Sequence, residues 1–112
     1  MFATLMGLKS VSCRDVSDLL PRRQAVIIDV NSASRWAAAR IPGARNLDPV
    51  HFDASALPAE KHTELVFYCS NFLCRKAPNA ARRAKALGYS RVRVMSAGIQ
   101  GWIGEGRPVE SG

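Results

Sequence analysis

The sequence predicts an α/β domain built on a central, mostly parallel β-sheet with helices on both faces. Three observations lead there. Short apolar runs alternate along the chain with segments whose apolar residues recur at helical spacing, the pattern of strand-helix-strand crossovers. The run Ala25-Val26-Ile27-Ile28-Asp29-Val30 is continuous and rich in β-branched residues, as a strand covered on both faces must be. A chain of 112 residues, 47% hydrophobic and 22% charged, suffices for one core and is read as a single domain over residues 1–112.

The elements follow in order. Ser12-Cys13-Arg14-Asp15 has the form of a capping box; Cys13, Val16, Leu19 and Leu20 then share one helical face, and Pro21 ends the helix. Cys13 therefore reads as core. After the strand at 25–30, Ser32 or Ser34 caps a short helix through Trp36 to about Arg40, and Ile41-Pro42-Gly43-Ala44 is a turn. From Asp48 to His62 the pattern suggests a loop with a short helix. Leu65 to Tyr68 is the central strand. Ala77, Ala80, Ala81, Ala84 and Leu87 form a small-residue helical stripe that allows close approach to a sheet, and Gly88 stops that helix. Val92-Arg93-Val94-Met95 is a further strand, Ala97-Gly98 a turn, and Ile99 to about Ile103 a last helix carrying Trp102.

Charge and cysteine usage exclude several classes. The formal net charge is +7, yet the sixteen basic residues are scattered, no aromatics interleave with them, and no nucleic-acid motif is present. The expectation is a solvated basic face that attracts small anions or an acidic protein partner, and no nucleic acid. No run reaches the roughly 18 apolar residues of a membrane span, and the opening Met1-to-Lys9 stretch lacks the features of a secretory signal. A cytoplasmic protein with no membrane contact is expected. Cys13, Cys69 and Cys74 do not pair evenly, and no Cys-x-x-Cys or Cys/His cluster supplies four ligands. Structural disulfides, a metal and a cofactor are accordingly not expected, and His51 and His62 read as solvated surface residues.

The chemistry concentrates between Phe67 and Ala81. An apolar strand delivers Cys69 to a short loop, which closes with Arg75 and opens into the alanine-rich helix. Such a loop turns backbone N–H groups, with the positive end of a helix dipole, toward one point. A cysteine there ionises below its reference pKa of about 8.5, and an anion docks beside it. Parallel α/β sheets place ligands at the carboxyl ends of their central strands, which is where Cys69 falls.

Three separated stretches now resemble the rhodanese-like domains: Ile28-Asp29-Val30 with Arg40-Ile41-Pro42-Gly43-Ala44-Arg45-Asn46; Cys69 and its loop with Leu87-Gly88-Tyr89; and Ala97-Gly98-Ile99-Gln100-Gly101-Trp102 with Gly106-Arg107-Pro108-Val109. The resemblance runs from about Val11 to Val109 in the family's order. It implies a sulfurtransferase in which Cys69 takes a sulfane sulfur from a small anionic donor such as thiosulfate, holds it as a persulfide, and passes it to a thiol or cyanide acceptor. The loop Ser70, Asn71, Phe72, Leu73 and Cys74, together with Arg75, would bind the donor's anionic part.

The chain also departs from that pattern. Family loops commonly place four residues, usually with a glycine, between cysteine and arginine; here there are five and no glycine. The longer loop resembles those of dual-specificity phosphatases and a group of arsenate reductases on the same scaffold, which keeps phosphoryl or arsenate chemistry open as an alternative. A non-catalytic sulfur-relay or partner-binding module is another. Asn31, Arg35 and Arg40 stand where relatives often carry an arginine, an acidic residue and a histidine. Cys74 reads either as a loop cysteine packed beneath the helix or as a resolving thiol toward Cys69, the second requiring a Cα separation of about 4.4–6.8 Å. Asp29 reads as the residue that holds the turn after its strand.

Overall fold

The computed structural model describes residues 8–112; residues 1–7, most of the stretch read above for a secretory signal, lie outside the described residues. Among the described residues, strands β1 (Lys9–Ser10), β2 (Ala25–Asp29), β3 (Arg45–Asn46), β4 (Glu64–Tyr68) and β5 (Val92–Val94) form one sheet in the order β1-β5-β4-β2-β3. Every pair in it is parallel. The helices are α1 (Cys13–Leu19), α2 (Ala33–Ala38), α3 (Lys76–Ala86) and α4 (Gly98–Gly104).

Local chemistry accounts for the boundaries. At the start of α1 the Asp15 N–H donates to Ser12 Oγ (3.0 Å) while the Ser12 N–H donates to the Asp15 carboxylate (3.3 Å), the reciprocal bonds of a capping box. Ser32 caps α2 by accepting from the Arg35 N–H. The Ile41-to-Ala44 turn closes with an Ala44 N–H to Ile41 carbonyl bond of 3.0 Å and places Gly43 at φ 80°, a conformation that favours glycine. The edge strands β1 and β3 were not expected. Each has two polar residues and no apolar run, so each exists through its pairing with β5 or β2.

β2 and β4 pair along their whole length, from Ala25 opposite Glu64 to Asp29 opposite Tyr68. Side chains of β4 alternate between two cores. Leu65 and Phe67 pack with Ile28, Val94 and the α3 stripe Ala77, Ala80, Ala81 and Ala84; Val66 and Tyr68 pack with Val16, Ile41, Met95 and the fully buried Trp102. The expected small-residue contact between α3 and the sheet is thereby present. Cys13 lies in the second core, as its helical face implied.

Residues 48–62 contain a 3-10 turn (Ala54–Ala56), but the segment is more than a surface loop. Phe52 and Leu57 are buried in the first core, with the Phe52 ring 6.3 Å from Phe67. Cationic residues pin it: Arg83 Nε donates to the Phe52 carbonyl (3.0 Å) and Lys61 Nζ to the Leu87 carbonyl (2.9 Å). Arg91 and Arg93 both pair with the buried Glu64 carboxylate. The basic residues are therefore not simply a solvated face, since several hold buried groups in place. No helix of the described residues is long and apolar enough to cross a membrane.

Candidate active site

Cys69 directly follows β4 and continues its alternation, so its side chain joins the core formed with α3, and it is only 2% exposed. The loop that begins there rests on the start of α4. The Ile99 N–H donates to the Cys69 carbonyl (2.9 Å) and the Gln100 N–H to the Ser70 carbonyl (3.0 Å). Gly98, at φ 67°, makes this approach possible: a Cβ there would lie 2.5 Å from the Ser70 carbonyl carbon and oxygen and 2.7 Å from the Asn71 nitrogen.

Asn71 shapes the loop tip. Its side-chain oxygen accepts the Leu73 N–H (2.9 Å), its backbone carbonyl accepts the Cys74 N–H (3.2 Å), and its amide nitrogen donates to Gln100 Oε1 (3.3 Å). This turn pushes Phe72 and Leu73 outward, 56% and 79% exposed, and swings Cys74 back over Cys69. The two cysteines pair as a disulfide with Cα atoms 6.4 Å apart. That separation falls within the range the second reading of Cys74 requires, and the odd count leaves Cys13 as the free, buried thiol. Burial pushes the Cys13 thiol up, and nearby Glu105 adds to the effect.

Arg75 occupies the N-cap position of α3 and is exposed; its carbonyl accepts the Asn79 N–H (3.0 Å). Beside Cys69 is a cleft of about 10 Å³ lined by Asn71, Phe72, Cys74, Pro78, Met95 and Ser96 among others. Lys76, one residue beyond Arg75, faces a different cleft of about 400 Å³ with Asn31, Asn46, Asp48 and Val50. Of the predicted loop residues, Asn71, Phe72 and Cys74 line the cleft with Cys69, whereas Ser70, Leu73 and Arg75 do not, and the Leu73 and Cys74 amides are already engaged within the loop.

Asp29 supports the site from below. Its carboxylate accepts the Tyr68 hydroxyl (2.6 Å) and the Asn31 N–H (2.8 Å), while Tyr68 in turn accepts the Ile41 N–H (3.1 Å). The expected turn-holding role is present, and the tie to the residue preceding Cys69 is new. Burial pushes the Asp29 carboxyl up, with these hydrogen bonds acting the other way; burial and the Asp29 charge push the Tyr68 hydroxyl up as well. Arg40 lies over the Trp36 ring at 4.2 Å and pairs with Glu110 (3.7 Å). Glu64 is held by Arg91 and Arg93 at the opposite end of β4, and the Glu60 carboxylate accepts the His62 N–H. No group of His, Cys, Asp or Glu among the described residues has the composition to hold a metal ion. Sequence reasoning missed Gly98, Gln100 and Tyr68 as supports of the loop. The first two lie inside the quoted Ala97-to-Trp102 stretch, but nothing local to it indicates contact with Ser70.

Comparison with known proteins bears out the fold. The family model for the rhodanese-like domain matches residues 12–105. The uncharacterized protein YibN of Escherichia coli (strain K12) is 28% identical over 108 residues, covering 93% of this chain and 73% of YibN. Among solved structures, the BH2092 protein from Bacillus halodurans superposes with a TM-score of 0.85 at 24% identity, covering 92% of this chain and 77% of that one. The human single-domain sulfurtransferase TSTD1 superposes with a TM-score of 0.71 at 26% identity, covering 86% and 96%.

Proposed function

The chain belongs to the rhodanese-like domain family, and on that premise we propose that it is a sulfurtransferase that moves a sulfane sulfur from an anionic donor such as thiosulfate, through a persulfide on Cys69, to cyanide or a thiol. The observation that carries this reading is the position of Cys69: at the end of the central strand, on a loop whose base is bonded to α4 and whose far end runs into α3. The thiolate attacks the outer sulfur of thiosulfate and sulfite leaves with the bonding electron pair. In this reading the amides of Ser70, Asn71 and Phe72 and the guanidinium of Arg75 take the anionic end of the donor, because the Leu73 and Cys74 amides already donate to Asn71.

The longer loop keeps phosphatase or arsenate reductase chemistry as the second reading. Of its apolar residues, Leu73 turns outward, while Phe72, although 56% exposed, lines the cleft beside Cys69. Expulsion of an alkoxide also needs a general acid, however, and the cleft at Cys69 is lined by no carboxylate. Asp29 is buried and bonded to Tyr68, and Glu64 lies at the far end of β4. Little hydrolysis of an aryl phosphate is therefore expected.

Sulfite release from thiosulfate by the reduced protein tests the assignment, because sulfite leaves in the first step whatever later accepts the sulfur. Wild type should release sulfite and, with cyanide present, form thiocyanate; Cys69→Ser should do neither. Aryl phosphate hydrolysis that depends on Cys69, with no sulfite formed, would replace this reading with the phosphatase one.

A further inference from the structure

The loop carries a second cysteine. Cys74 lies five positions beyond Cys69, and the turn shaped by Asn71 returns it to within a 6.4 Å Cα separation, inside the range of about 4.4–6.8 Å at which two cysteines bridge. The two ends of the loop are held differently. The Cys69 end is fixed by the Ile99 and Gln100 amides and by the close approach of Gly98, whereas the Cys74 end is turned back by bonds to Asn71 within the loop tip and packs, half-buried, against the core beside α3. With the cysteines paired, the adjoining cleft of about 10 Å³ has room for about one water molecule, not for a donor such as thiosulfate. The paired form is thus a closed form of the site, and opening it requires reduction.

We propose that Cys74 is a catalytic residue that resolves the Cys69 persulfide internally, so that the protein reduces the sulfane sulfur of its donor to sulfide. This rests on the sulfur-transfer reading above. Once Cys69 holds the sulfur and sulfite has left, the Cys74 thiolate attacks Cys69 Sγ. The Cys69–Cys74 bond forms, the bond from Cys69 Sγ to the outer sulfur breaks, and that sulfur departs with the electron pair as hydrosulfide, taking up the proton given up by the Cys74 thiol. The departing sulfur gains two electrons, and the two cysteines together lose two. An external dithiol then reduces the disulfide by thiol-disulfide exchange and reopens the cleft for the next donor. A dithiol reductant is accordingly the partner class that the cycle requires, and sulfite and sulfide are its products from thiosulfate.

A single-turnover experiment on the full chain tests this. The protein is reduced, freed of reductant, and mixed with thiosulfate with no acceptor added; sulfite, sulfide and intact mass are then followed. Wild type should release sulfite and one equivalent of sulfide per chain, ending as a disulfide two hydrogens lighter than the reduced protein. Cys74→Ser, and independently Cys74→Ala should the serine variant fold poorly, should instead accumulate a stable species heavier by one sulfur that gives up that sulfur only to added cyanide. A stable persulfide on wild type with no sulfide released would overturn the proposal, as would undiminished sulfide release from either Cys74 variant. If wild type releases no sulfite, the sulfur-transfer reading itself fails and the proposal falls with it. Sulfite without sulfide removes the role of Cys74 alone.

Discussion

Replacing Gly98 with alanine tests whether contact with α4 sets the loop that carries Cys69. The new Cβ would sit 2.5 Å from the carbonyl group of Ser70 and 2.7 Å from the Asn71 nitrogen. Carbon atoms in favourable contact sit about 3.5–4.0 Å apart, so the loop backbone must retreat by about 1 Å. Such a retreat stretches the Gln100-to-Ser70 and Ile99-to-Cys69 hydrogen bonds, now 3.0 and 2.9 Å, out of range. Losing them costs about 1 kcal/mol each. Holding alanine at φ 67° adds about 1–2 kcal/mol. A loss of about 3–4 kcal/mol lowers the melting midpoint of a domain this size by roughly 10–20 °C. Misplacing the thiol by about 1 Å slows its reaction on the order of 100-fold. Gly104→Ala is the internal control: it lies in the same helix, and a Cβ there meets nothing within 4 Å. Scanning fluorimetry gives the midpoint, and single-turnover sulfite release from thiosulfate gives the chemistry. A Gly98→Ala protein that melts and reacts like Gly104→Ala would show that this contact does not position the loop.

Three further outcomes are expected. Burial raises the Asp29 carboxyl, so the folded state binds that proton more tightly than the unfolded chain; its contribution to stability is complete below the ordinary carboxylate range and is lost as pH rises through the raised value. Wild type should therefore lose stability relative to Asp29→Asn as pH rises from acid toward neutral, and a wild-type urea midpoint that rises relative to the variant's over that range would contradict the direction of the shift. Arg75→Ala should lower kcat/KM for thiosulfate by about 1.5–3 kcal/mol, the worth of a charge-assisted hydrogen bond, with less effect on the cyanide step. Because Lys76 faces a different cleft, unchanged thiosulfate kinetics would leave anion binding to the loop amides. Finally, with iodoacetamide at neutral pH the reduced protein should be alkylated at Cys69 and Cys74, while the buried Cys13, its thiol raised by burial, is modified only on unfolding; peptide mapping that finds Cys13 labelled in the folded protein would contradict its core placement.

Those features whose cause is local were legible in the chain itself. The Ser12 capping box, the β-branched run of β2, the alanine stripe of α3 and the position of Cys69 just past a strand end all follow from residues within a few positions of one another, because periodicity and capping are short-range effects. What the fold added lies between residues far apart in sequence. β1 and β3 are strands only because β5 and β2 offer them partners, and Phe52 and Leu57 are core only because Phe67 and α3 cover them. Tyr68 meets Asp29 through the parallel register of β4 against β2, 39 positions apart. Gly98 meets Ser70 because the final helix begins at the same sheet edge as the loop. The pairing of Cys69 with Cys74 belongs to this second group despite their closeness in sequence. The backbone torsions of the four intervening residues, Ser70 to Leu73, allow many separations, and it is the Asn71 turn, held against Gln100 of α4, that selects the one in which the two sulfurs meet.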